Sequence, residues 1–135
     1  MSDSRQRAVV EQLVRGGLGC TCPDEVFDDI EVTEAAQPFP PGWLIAVGGR
    51  LLVYLPRALR LSEDERLAAF AAGRGCRDAA GYRRFRLVET LDGSTADSPP
   101  VVERPAPIPR DDRLHWHLLG RERLAALRAW LDAGT

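Results

Sequence analysis

Apolar residues recur at helical spacing near the start of the chain, where Val10, Leu13 and Val14 fall on one face and predict an amphipathic helix over about residues 3–15. Asp3 stands in a capping position, Gln6 follows three residues later in the reciprocal one, and Gly16 with Gly17 supplies the stop. After a turn, a short second helix is expected to open at Pro23. Proline suits a first helical position, Asp24 and Glu25 complement the positive end of the helix dipole, and Val26, Phe27 and Ile30 provide an inner face. A turn-rich stretch follows as far as Gly42, where Pro38, Pro40 and Pro41 oppose both helix and inner strand.

The pattern then changes period. Two nearly continuous apolar runs, 43–47 and 50–55, flank Gly48 and Gly49, which can adopt the positive backbone angles of a tight hairpin turn. Their apolar continuity places both strands centrally in a sheet covered on at least one face. Ser62 and Glu65 have the spacing of a capping box for a third helix, with Leu67, Phe70 and Ala71 facing inward. Gly73 and Gly75 weaken its second half, so its end falls between them and Gly81. Residues 82–91 alternate as a strand, with Phe85 and Leu87 on one face and Arg84, Arg86 and Val88 on the other.

A stretch rich in Pro, Ser and Asp at about 92–110 predicts a long surface loop, with Val101 and Val102 as its inward contact. Residues 114–118 alternate as a short strand, and Leu124, Leu127 and Leu131 mark a last helix over 120–133. The whole reads as a single α+β domain spanning 1–135. Its sheet is expected to have three to four strands, to be largely antiparallel and built on the 43–55 hairpin, and to carry helices mainly on one face.

Composition narrows the chemistry. The chain has 135 residues, 44% of them hydrophobic and 28% charged, with a net charge of -2. A chain of this length buries a core without disulfides or a structural metal. The slight acidity weighs against nucleic acid as a partner, since affinity for polyphosphate scales with available positive charge. The N-terminus lacks the order of a signal peptide and no apolar run reaches bilayer length, so a cytoplasmic protein without membrane contact is expected. All eighteen basic residues are Arg. Without lysine there is no Schiff base, no lysine general base and no phosphate-cradling P-loop.

Cys20, Thr21, Cys22 and Pro23 form the leading chemical motif, with Cys20 and Cys22 as the candidate catalytic pair. Two thiols two residues apart can share a strained and reducible disulfide, pass sulfur between them or touch one metal. The helix dipole would favour the Cys22 thiolate, whereas Asp24, Glu25, Asp28 and Asp29 oppose it. The plainer alternative is two small thiols packed beneath a turn. The run from Gly17 to Pro23, which reads Gly-Leu-Gly-Cys-Thr-Cys-Pro, resembles over seven residues the Gly-Leu-x-Cys-Pro motif of the TusA/SirA sulfur-carrier family. That resemblance implies persulfide transfer with Cys22 as the carrier. A helix precedes the motif here where the family has a strand, and an extra residue and cysteine intervene.

His115 and His117 flank Trp116 on a strand, so they share one face about 7 Å apart, a spacing from which two imidazoles can converge on a metal. A site formed by Cys20, Cys22, His115 and His117, or one adding Cys76, would suit zinc or iron. The competing expectation places Trp116 inward and both histidines in water. Cys76, between Arg74 and Arg77, is either an auxiliary thiol activated by guanidinium charge or a residue packed against the sheet. Arg83, Arg84 and Arg86 with Tyr82 and Phe85 make a basic and aromatic strand able to meet RNA or another anionic ligand, or else simply a solvated face. No serine lies on a strand-to-helix elbow, which disfavours hydrolase chemistry. Two functional readings therefore stand: a small thiol protein acting through Cys20 and Cys22, or a non-enzymatic module. The module's proline-rich loop and Arg-bearing strand would dock a protein partner or form a homo-oligomer.

Overall fold

The computed structural model describes residues 2–17, 24–37, 39–91, 101–103 and 114–133. Helix α1 spans Ser2–Glu11 and passes into a π-helical segment, Gln12–Gly17. Asp3 thus lies inside the first turn rather than ahead of it. Val10, Leu13 and Val14 are buried as their spacing predicts. A 3-10 helix, Asp24–Asp28, leads into strand β1, Ile30–Glu34. That strand corrects the expectation of a helix face at Ile30 followed by turns. The run Ile, Glu, Val, Thr, Glu alternates, and Ile30 and Val32 pack against the core.

Strands β2 (Gly42–Val47) and β3 (Leu51–Pro56) form the expected hairpin. Gly48 and Gly49 take φ of 62° and 66°, Arg50 N donates to Val47 O at 3.1 Å, and pairing resumes at Val47 with Leu51, so Arg50 belongs to the turn rather than to the second strand. Helix α2, Glu63–Ala80, opens with a reciprocal cap, Glu65 N donating to Ser62 Oγ at 3.2 Å and Ser62 N to Glu65 Oε1 at 3.0 Å. The helix runs through Gly73 and Gly75 and ends only at Gly81. Gly73 is there for contact: a Cβ added to it would stand 2.3 Å from the Phe85 ring, so no side chain fits between helix and sheet at this point. The inner face of α2 holds Ala69, Phe70, Gly73 and Arg77, while Ala71 is exposed.

Strand β4 (Arg84–Leu91) returns parallel to β3, β5 (Val101–Glu103) is a short strand within the expected loop, and β6 (Leu114–Gly120) runs into helix α3 (Arg121–Ala133). The sheet order is β1-β2-β3-β4-β6-β5. Strands β1 to β3 are antiparallel neighbours, β3, β4 and β6 are parallel, and the three-residue β5 pairs antiparallel to β6 at the edge. The expectation of three to four largely antiparallel strands is therefore overturned by a mixed sheet of five full strands and a short edge strand. The parallel pairing of β3 with β4 follows from α2, since parallel neighbours need a long crossover.

The expectation of helices mainly on one face is likewise corrected. Val10, Leu13, Leu124 and Leu127 pack on one side against Ile45, Val53, Val88 and Leu119. On the other, Ala69 and Phe70 of α2 pack against Leu52, Tyr54, Phe85 and Leu87. Strand β3 lies between both layers and all six of its residues are buried. Among the described residues, no helix is long and apolar enough to cross a membrane.

Candidate functional site

The pleat sorts the side chains of β4 between the two layers. Phe85 and Leu87 face α2, whereas Val88 belongs to the layer under α1 and α3, which places Arg84 and Arg86 on that second face. On β6 the same rule puts His115 and His117 with Leu119 on the α1 and α3 side, opposite Leu114 and Trp116. Because β4 and β6 are parallel neighbours, with Arg86 beside His115 and Val88 beside His117 in register, the two basic pairs meet on one surface.

They meet diagonally. Arg84 Nη1 lies 3.2 Å from His115 Nε2, and Arg86 Nη1 lies 2.8 Å from His117 Nε2. The imidazole centroids are 6.4 Å apart at 38°. Burial deepens along this ladder: Arg84 is exposed, His115 and Arg86 are half-buried, and His117 is fully buried. The expectation that both histidines face water fails at His117, and Trp116 is only half-buried.

The protonation state follows from the contacts. A guanidinium only donates, so His117 Nε2 must accept from Arg86 and the imidazole is neutral with its hydrogen on Nδ1. Burial, then Arg86, then His115 push the His117 pKa down to about 3. Burial and the neighbouring Arg84 lower that of Arg86. Among the described residues, His117 Nδ1 and Arg86 Nε are both buried without a hydrogen-bond partner. Both carry hydrogens, so both are unmatched donors, and an unmatched buried donor costs about 1–3 kcal/mol.

A second charged cluster, at the other end of β4, shows the opposite balance. Glu89 is fully buried on the α2 face and accepts from Arg66 Nε at 2.6 Å, Arg66 Nη2 at 3.0 Å, Arg60 Nε at 3.2 Å, Leu61 N at 2.8 Å and Trp116 Nε1 at 2.6 Å. Burial opposes its ionisation, but the Arg66, Leu61 and Trp116 donors prevail and hold the carboxyl below its ordinary range. Here the chain supplies its own carboxylate to both guanidinium groups, and the cluster ties the chain after β3 to β4 and β6. Beside it, Arg128 donates to Pro56 O at 3.2 Å and to Arg57 O, and Arg57 stacks on Trp43 with its Cζ 4.5 Å from the ring centroid. These arginines serve the chain turn itself.

Cys20 and Cys22 lie outside the described residues. Cys76 is a free, exposed thiol rather than one packed against the sheet. It lines a mainly apolar cavity of about 380 Å³ with Leu44, Ala46, Ala79 and Tyr82. Among the described residues, no group of three or more His, Cys, Asp and Glu is placed to hold a metal. The structure instead sets a guanidinium against the Nε2 atom of each histidine. Arg83 stands just before β4, where its backbone N donates to Arg50 O at 2.8 Å.

Sequence reasoning found both halves of the ladder without joining them. The two-residue period put Arg84 with Arg86 and His115 with His117, but their adjacency depends on β6 inserting between β4 and β5. No protein-family profile matches the chain, and no match was found among curated proteins or solved structures.

Proposed function

We propose that this protein is a binding module that receives an anionic group on the Arg84, Arg86, His115 and His117 ladder. The observation that carries this reading is Arg86. Its guanidinium is half-buried, its hydrogen-bonding partner is the neutral His117 ring, and among the described residues no carboxylate lies within ion-pair distance of it. The Glu89 cluster supplies the contrast, because there the chain provides its own anion for Arg60 and Arg66. A buried charge left without a counterion is costly, so a bound anion would relieve the ladder of repulsion.

Binding rather than catalysis fits the side chains. Two guanidinium groups offer charge and hydrogen-bond donors, and the Nε2 lone pair of each imidazole is engaged by a guanidinium rather than free to act as a base or nucleophile. Access is from the Arg84 and His115 end, where the ladder reaches solvent. The net charge of -2 leaves the positive charge local, which suits a compact anionic group on a ligand or protein partner better than a long polyanion.

The test is a titration of the folded protein with sodium sulfate, followed by NMR of histidine and arginine side-chain nitrogens. The expected result is saturable shifts at Arg86 Nε and His117 Nδ1, lost when Arg84 and Arg86 are both changed to Gln. Uniform small shifts that persist in the double variant would overturn the proposal.

A further inference from the structure

We infer that the cavity beside the last turn of α2 binds a small organic monocation, an ammonium group carried on an apolar alkyl or aryl body. The site lies on the opposite face of the sheet from the Arg84 and His117 ladder and is independent of the anion-binding reading. Helix α2 crosses over β3 and β4, and among the described residues no helix covers β1 and β2 on this face. In register, Glu31 stands beside Ala46 and Thr33 beside Leu44, and both Leu44 and Ala46 stay half-buried although they belong to this apolar layer. The small side chains of Ala46 in the sheet and of Ala79 and Ala80 in the helix leave about 380 Å³ open between them. That volume sits at the small end of the roughly 300–1,000 Å³ typical of small-molecule sites, and its mainly apolar lining is typical as well.

Charge selects the ligand. Glu31 is the one acid on the lining, no arginine stands there with it, and among the described residues no arginine pairs with it. The helix is a second source of negative potential. Helix α2 has 18 residues, and at its end Gly81 N and Tyr82 N both turn back to Arg77 O. The carbonyls of its last turn give that end a partial negative charge, and Ala79 and Ala80 of the same turn form the cavity wall. A neutral ligand gains burial alone in such a place, and an anion is repelled. An ammonium group on an apolar body gains burial, the helix end and the Glu31 carboxylate together, and a single carboxylate balances a single charge.

The experiment is a methyl NMR titration of the full chain at about pH 7.5, where an alkylamine is protonated just as a lysine side chain of pKa about 10.4 is. The probes are phenethylamine, phenethyl alcohol and phenylacetate, which share an aryl body and differ in charge. Saturable shifts are expected at the methyl groups of Leu44, Ala46 and Ala79, with the amine bound about tenfold more tightly than the alcohol and phenylacetate weakest. Glu31→Gln, at an exposed position on the edge strand, should cut that preference about fivefold, to the roughly twofold owed to the helix end, and leave the alcohol unchanged. Ala79→Phe, also at an exposed position, should fill the cavity and abolish binding of every probe. Equal affinity for amine and alcohol, or a preference untouched by Glu31→Gln, would overturn the assignment of a cation. Absence of saturable shifts with every probe, or binding retained in Ala79→Phe, would overturn the site itself.

Discussion

His117 titrates in two very different settings, and the difference can be measured as stability. In the folded chain, burial, Arg86 and His115 hold its pKa down to about 3. In an unfolded chain an imidazole titrates near about 6.5. The folded value is the depressed one, so the folded state binds fewer protons. The stabilisation is complete above about pH 6.5 and is lost as pH falls toward 3. Each pH unit in that window removes about 1.4 kcal/mol. At about pH 5 the loss from this one group is therefore about 2 kcal/mol, from about 1.5 units. His117 is fully buried, so solvent screening does not reduce this figure appreciably.

The perturbation is His117→Gln, which keeps an acceptor for Arg86 and removes the titration. Urea denaturation of both proteins at about pH 7.5 and about pH 5 isolates the effect, because every other titrating group is common to both. Glu89 does not interfere, since its carboxyl is held below the ordinary range and its contribution is lost only at lower pH. We predict that the parent protein loses about 2 kcal/mol more than the variant between these conditions. Sulfate at about pH 5 should recover part of that difference, because an anion beside Arg86 lets His117 accept a proton. Equal losses in the two proteins would refute the buried, neutral state assigned to His117.

Three further outcomes follow from the packing. Glu89→Gln removes the charge shared by Arg66 and Arg60 and should lower the unfolding free energy by about 3–5 kcal/mol in chemical denaturation. Gly73→Ala drives a Cβ to 2.3 Å from the Phe85 ring. Overpacking of about 1–3 kcal/mol then outweighs a helix-propensity gain of about 1 kcal/mol, so the thermal midpoint should fall. Tyr54→Phe removes the hydroxyl that donates to Pro40 O at 2.7 Å and should cost about 1 kcal/mol, read as a shift in urea midpoint at constant slope.

The elements legible in the sequence are those decided by near neighbours. Gly48 and Gly49 demand a tight turn, Ser62 and Glu65 cap each other, and Leu124, Leu127 and Leu131 recur at helical spacing; each of these local rules holds in the fold. What sequence reasoning missed is nonlocal. Nothing between Leu91 and Leu114 states that β6 will lie beside β4 rather than at an edge. The same gap concealed that helices cover both faces. The five residues of β1 were obscured by the prolines that follow them, and Gly73 reads as a helix breaker until Phe85 is seen beneath it.

The candidate site divides in the same way. Alternation alone places Arg84 with Arg86 and His115 with His117, so each pair is visible on its strand. The polar residues of an alternating strand usually mark a wet face, which is why the burial of His117 was not foreseen. Its face belongs to the layer that α1 and α3 complete, and only the tertiary arrangement reveals that.

The most direct test of the anion site is a crystal grown or soaked in sodium selenate, a tetrahedral dianion whose selenium can be located by anomalous scattering. The account predicts a peak at the ladder, with a selenate oxygen about 3 Å from a guanidinium nitrogen of Arg84 or Arg86. A map with no selenium at the ladder under saturating selenate, or with selenium only at Arg57 and Arg128, would contradict it.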